Sequence, residues 1–453
     1  MFKNQLQYDY QFMSAQKVGK FGFQQKDLNT LLKKLRSINQ DFKARKNEPV
    51  FSFRKLPYET KTIKQVENLS RKLKKKFNTL VVVGIGGSNL GAKAVYNCLA
   101  GYYANQSVKQ KYKIYFLGDT TDPRPLADLL QIIDLKKTVF QIVSKSGSTI
   151  EPLANFLYLR EAVIKTVGYK KHQDHFIITT NKEKGSLLEL VYKEGYRLLA
   201  HHQSGGRFSV LSVNGLLPAV WAGLKTADLL AGARVIDKIS NLNTKNNLPF
   251  VFAALQCLAY LKKKQSVHVL MPYDYYLFEY SNWWRQLWGE SLSNKFNLKN
   301  KKVNLGITPV ANLGPTDQHS QIQLMIEGPF DKIISFIVTE KNNIKMKIPK
   351  YPDSQSAYLG GHKFKEVLDI EHRATAVSLM KNQRPNQTLI IPEVNEFYLG
   401  QLFYFMEMAT LYLGELLQVN VTDQPGVEQS KHFMYGLLGK EGYDKFKKEI
   451  ENI

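Results

Sequence analysis

Four short apolar, β-branched runs alternate with helix-periodic segments between residues 80 and 179, and few architectures accommodate that pattern. The runs cover residues 80–83, 113–117, 139–143 and 176–179, and the helical segments between them cover 90–99, 124–133 and 152–166. Near-continuous apolar strands separated by helices predict a parallel sheet covered on both faces. A second, weaker α/β pattern begins after Lys262, with strands at 267–271 and 333–338 and a helix at 318–326. A chain of 453 residues, 43% of them hydrophobic, is long enough to bury cores for two such lobes. Leu28, Leu31, Leu32 and Leu35 at helical spacing mark a helical arm, and residues 60–76 read as a basic amphipathic helix. A largely apolar helix over 396–417 and another over about 427–438 close the chain. The expected organisation is an α/β protein with an arm over 1–50, a first lobe over 51–230 and a second over 231–453.

Two cysteines, Cys98 and Cys257, are too few for a disulfide framework and sit in helix-like apolar surroundings, as core thiols do. The first residues lack the basic-then-apolar order of a signal peptide, and the apolar stretches at 250–261 and 397–417 are short or interrupted for a bilayer span. The expectation is a soluble, cytoplasmic protein without a membrane partner. The net charge of +24 comes from lysines spread along the chain; recognised nucleic-acid signatures are absent, so no nucleic-acid partner is expected. An attraction for anionic substrates remains.

Ligands of open parallel sheets sit beyond the carboxyl ends of the strands, so the residues following each strand carry the functional signal. The first strand is followed by Gly84-Ile-Gly-Gly-Ser-Asn-Leu-Gly91. Asn89 stands where a dinucleotide loop has its third glycine, and Lys93 comes one residue late for a Walker A loop. What survives is a glycine-rich turn that brings backbone N–H groups to a ligand. The third strand is followed by Ser144-Lys-Ser-Gly-Ser-Thr149-Ile-Glu-Pro152. Four hydroxyls and Lys145 crowd a helix start, more than one N-cap needs, and fit a metal-free phosphate site. Ser204-Gly-Gly-Arg207-Phe-Ser209 presents an arginine whose fixed charge can stabilise a developing oxyanion. Gly314 to Ser320 opens a helix carrying His319, and Asp423 to Lys431 opens the C-terminal helix. His172, His175, His201 and His202 lack a metal framework and read as solvated loop residues.

The segment Tyr280 to Lys295 carries the base candidate. Leu277, Tyr280, Trp284, Leu287 and Trp288 form one apolar helical stripe, and Gly289 reads as the helix stop. Glu290 is then expected just beyond the helix end, between an apolar wall and the negative end of the dipole, a setting that suits a general base.

Taken in order, Gly84 to Gly91, Ser144 to Thr149, Gly205-Gly-Arg-Phe-Ser209, Gly289-Glu-Ser291, Asp317-Gln-His319 and Asp423-Gln-Pro-Gly-Val-Glu-Gln-Ser-Lys431 resemble the phosphoglucose isomerase family. The resemblance implies two α/β/α sandwich lobes of the sugar-isomerase type, a homodimer, no cofactor, and interconversion of glucose 6-phosphate and fructose 6-phosphate. It places Ser144, Ser146, Ser148 and Thr149 in the phosphate loop, and Gly87, Ser88, Gln286 and Gln424 on the sugar. It makes Glu290 the base between C2 and C1 and Arg207 the stabiliser of the enediolate. His319, from the partner subunit, and Lys431 become the ring-opening pair. The sequence departs from the family pattern in the loop after Glu290, where Ser291-Leu-Ser-Asn-Lys295 lacks a glycine, at Pro425 and at Asn89. The alternatives on the same residues are an isomerase that also accepts mannose 6-phosphate, a catalytically silent sugar-phosphate binder, and a nucleotide-dependent dehydrogenase.

Overall fold

The structure is a computed structural model in which residues 4–352 and 355–453 are described. Its first sheet is wholly parallel and runs Lys113–Leu117, Thr79–Val83, Thr138–Val143, Phe176–Thr179, Arg197–Leu198. Four of these strands lie where the apolar runs predict them. The fifth is two residues long, too short to show a period. Along Thr79–Val83 successive side chains part to opposite faces. Leu80 and Val82 join the large central core, while Val81 and Val83 pack outward with Phe140, Ile142, Phe156 and Phe176.

The second sheet runs Gln7–Asp9, Asn386–Ile391, Lys332–Thr339, Val267–Pro272, Thr308–Ala311, parallel except for the first. Its parallel strands repeat the order of the first sheet, so each lobe has a switch point beside its earliest parallel strand. Two of these strands, Thr308–Ala311 and Asn386–Ile391, escape the sequence reading because Pro309 and a polar start (Asn386, Gln387, Thr388) break the apolar run. The arm also differs from expectation. It contributes the helices Gln25–Leu32 and Leu35–Ala44, but its strand Gln7–Asp9 pairs antiparallel with Asn386–Ile391 of the distant second lobe.

The helices Val213–Ala222, Thr226–Ser240, Leu248–Lys263, Phe278–Ser291 and Glu396–Leu417 lie in the core shared by the two lobes. Thr226–Ser240 and Glu396–Leu417 cross at backbone contact. A Cβ on Gly232 would lie 1.8 Å from the Phe397 carbonyl oxygen, and one on Gly400 1.9 Å from that of Leu229. Cys98 and Cys257 are buried free thiols, and burial pushes both up, Cys257 to about 11. The histidines correct the reading of solvated loops. His172, His175 and His201 are buried, because each ring finds a backbone or side-chain partner within the first lobe, and His202 is held between Ser204 and Glu59. Among the described residues no helix is long and apolar enough to cross a membrane.

Candidate active site

Both loops flanking the first lobe's switch point open into one cavity of about 730 Å³. The turn after Thr79–Val83 reaches it through Gly86, whose φ is +57°, Gly87 and Ser88. Gly87 must lack a side chain, because a Cβ there would lie 2.1 Å from the carbonyl carbon of Gly206. The two glycine turns are thereby pressed together, which drives Arg207 into the interior.

Arg207 is 3% exposed and its guanidinium is fully engaged. Nη1 donates to Glu290 Oε2 at 3.0 Å and to Gln424 Oε1 at 2.6 Å, Nε donates to Ser291 Oγ at 2.8 Å, and Nη2 to the Val421 carbonyl at 2.6 Å and the Asp423 carbonyl at 3.5 Å. Burial lowers its pKa while Glu290 pushes it the other way; a guanidinium stays charged under that load. Glu290 is one-third exposed, and its second oxygen accepts from Gln286 Nε2 at 3.0 Å. Gln286 and Glu290 stand one turn apart on Phe278–Ser291, whose opposite stripe of Leu277, Tyr280, Trp284, Leu287 and Trp288 is buried as expected.

The helix end departs from expectation. Phe278–Ser291 continues through Gly289 and Glu290 and is capped at Leu292. Gly289 is not in the left-handed region; a Cβ there would meet Pro309 Cγ at 3.3 Å, so its smallness serves packing against Thr308–Ala311. Glu290 thus projects from the last helical turn and takes its direction from the helix. The unusual segment after it begins the hairpin Asn294–Phe296 with Lys302–Leu305.

At the other side of the cavity the loop after Thr138–Val143 turns at Gly147, φ +70°, into the helix Ile150–Val167. No side chain caps that helix. The hydroxyls instead meet one another: Ser144 Oγ lies 3.1 Å from Thr149 Oγ1, Ser146 Oγ 3.4 Å from it, and Ser148 Oγ donates to Ser146 Oγ at 3.3 Å. Ser146, Ser148 and Thr149 line the cavity. Ser144 does not; it is buried and accepts from the Gly147 N–H, bracing the turn from behind. Lys145 lines the cavity with Nζ 3.4 Å from the Gln203 carbonyl, and burial first, then Arg207, lowers its pKa.

The last wall comes from the C-terminal segment. Gln424 and Lys431 line it, with Lys431 Nζ 2.7 Å from Glu428 Oε1. His319 stands apart: it is exposed on the short helix Gly314–Ser320 and does not line this chain's cavity. Asn181, Tyr435 and Lys440 also line the cavity and were not read from the sequence. Gly439 and Gly442, both at positive φ around Lys440, were the available signal.

A family profile described as phosphoglucose isomerase matches residues 59–445. The glucose-6-phosphate isomerase of Carboxydothermus hydrogenoformans is 38% identical over 434 residues, 94% of this chain and 93% of the relative. That of Fusobacterium nucleatum is 35% identical over 399 residues, 87% of each. Among solved structures, a hypothetical protein from Thermus thermophilus superposes with a TM-score of 0.85 at 31% identity, covering 96% of this chain and 100% of that one. A glucose-6-phosphate isomerase from Chlamydia trachomatis shares the fold, with a TM-score of 0.83 at 21% identity over 100% of this chain and 92% of its own. Two doubly wound lobes and a carboxylate beside a buried guanidinium, with these relatives, define an aldose–ketose isomerase. The chain belongs to the phosphoglucose isomerase family.

Proposed function

We propose that this chain interconverts glucose 6-phosphate and fructose 6-phosphate as a cytoplasmic homodimer, with Glu290 as the proton-transferring base. The observation that carries the reading is the placement of Glu290 Oε2 at 3.0 Å from Arg207 Nη1, in a cavity that also holds a hydroxyl-rich loop. Ser146, Ser148, Thr149 and Lys145 bind the phosphate, and Ser144 holds their loop in shape. Gly87, Ser88, Gln286 and Gln424 bound the sugar. Lys431 and His319 of the partner subunit exchange the proton of the ring oxygen as the pyranose or furanose opens. Glu290 then takes the proton from C2 and returns it to C1 while a hydroxyl proton shifts from O2 to O1. Arg207 stabilises the enediolate because its charge is fixed and its position is held by five hydrogen-bond acceptors.

The test is turnover in deuterated water with Glu290→Gln beside the wild type. Loss of the base should lower kcat by roughly 10²–10⁴-fold, and solvent deuterium entering C1 and C2 should fall by the same factor. A variant that exchanges and turns over within tenfold of wild type sinks the assignment of Glu290.

A further inference from the structure

We propose that Lys440 is a phosphate-binding residue, completing from the C-terminal side the anion site that the loop 144–149 begins; the inference rests on the sugar-phosphate reading above. The cations lining the cavity are Lys145, Arg207, Lys431 and Lys440, and the carboxylates are Glu151, Glu290 and Glu428. Arg207 is committed to Glu290, and Lys431 to Glu428. Among the described residues, Lys145 and Lys440 are the cavity cations with no carboxylate within 4.0 Å. Lys145 is carried by the hydroxyl loop itself. A phosphate monoester brings nearly two negative charges near neutral pH, and a single lysine in a cavity that also holds Glu151 leaves at least one of them uncompensated.

The position of Lys440 is fixed by local structure. The helix Glu428–Leu437 ends at Leu438, and Gly439 follows at φ +73°. The Lys440 N–H returns to the Tyr435 carbonyl at 2.9 Å and the Gly439 N–H to the Gly436 carbonyl at 3.0 Å, the paired bonds that close a helix through a left-handed glycine. The side chain then folds back over the aromatic rings, with Nζ 3.9 Å from the Tyr435 centroid and 5.2 Å from that of Tyr443. Tyr435 in turn donates its hydroxyl to the Ser148 carbonyl at 3.0 Å. One hydrogen bond therefore joins the platform under the ammonium to the loop that carries the hydroxyls. An ammonium lying on ring faces keeps its charge and its three donors free for an anion.

Lys440 is exposed at the cavity rim, so replacing it should leave the fold intact. The experiment is Lys440→Met and Lys440→Arg in the full chain, measuring kcat and KM for fructose 6-phosphate, the inhibition constant of inorganic phosphate, and the thermal midpoint. Lys440→Met should raise KM and the phosphate inhibition constant together by about tenfold, the scale of one charge-assisted contact, with kcat within about twofold and the midpoint unchanged. Lys440→Arg should recover most of both constants. Constants within twofold of wild type in Lys440→Met overturn the proposal, as does a raised KM with an unmoved phosphate constant and a lowered midpoint, which marks Lys440 as a staple for the turn. Wild-type protein without isomerase turnover would instead refute the underlying reading, so the two failures are separable.

Discussion

If His319 acts on the neighbouring subunit's substrate, two inactive variants should repair each other. The perturbation pairs Glu290→Gln in one chain with His319→Ala in the other. Structurally the first change is mild. Glu290 accepts from Arg207 Nη1 and Gln286 Nε2, each at 3.0 Å. A glutamine keeps the bond from Arg207, and Gln286 can turn its amide so that Oε1, which has no partner, accepts from the new NH₂. Glu290 is one-third exposed but Arg207 is buried, so loss of the ion pair costs on the order of 1–3 kcal/mol, offset in part by the hydrogen bond the glutamine keeps. His319 is exposed and outside this chain's cavity, so its truncation leaves the fold alone. Each variant by itself should lose roughly 10²–10⁴ in kcat. In the hybrid one site combines both defects while the other combines native Glu290 with native His319. Hybrids purified through two different affinity tags should therefore show about half the wild-type activity per dimer, from one intact site in two. The assay is coupled oxidation of the glucose 6-phosphate formed from fructose 6-phosphate. A purified hybrid no more active than its parents would refute the contribution in trans, and an active His319→Ala homodimer would remove the residue from the mechanism.

Arg207→Lys keeps the charge but cannot reach the five acceptors, so kcat should fall by roughly 10²–10³ with KM changed far less. A kcat within fivefold of wild type would show that the fixed fork is dispensable. Glu407, on Glu396–Leu417, is 0% exposed and neither carboxyl oxygen has a partner, so burial pushes its pKa well above the ordinary carboxylate range. The folded protein keeps it protonated while the unfolded chain ionises above about pH 4–5. Its contribution is full below that pH and declines as pH rises towards the folded pKa, at up to about 1.4 kcal/mol per unit. Glu407→Gln should match wild type near pH 4 and exceed it in denaturant midpoint at pH 8; equal midpoints at both pH values would refute the neutral acid.

The parts legible in the sequence are those fixed by short-range rules. Strand runs such as 139–143 are bounded by their own composition, and the helix Glu396–Leu417 is legible as one long apolar stretch; its ends are closed in the structure by Asn395, whose Oδ1 accepts from the Tyr398 N–H, and by Gln418 in the left-handed region. Motifs at the strand ends followed from the same logic, because a switch point collects the loops after neighbouring parallel strands. What sequence reasoning missed depends on long-range closure. Pro309 and a polar start hide the strands Thr308–Ala311 and Asn386–Ile391, which are specified by partners already in the sheet. Gly289 looks like a helix stop until Pro309 is seen packed against it. His201 looks solvated until Asn214 reaches its ring at 2.9 Å.

The contact that matters most for chemistry is of the second kind. Arg207 and Glu290 are separated by 83 residues and belong to different lobes. Two packings bring them together: Gly87 lets the turn 205–209 close against the first lobe, and the helix Phe278–Ser291 packs on the helix Leu90–Ala100 that leaves the same glycine turn. A side chain at Gly87 would therefore displace the guanidinium before it touched any substrate. The glycine-rich loop that resembles a nucleotide site instead seats the guanidinium that pairs with Glu290, and this accounts for Gly87 without invoking a nucleotide.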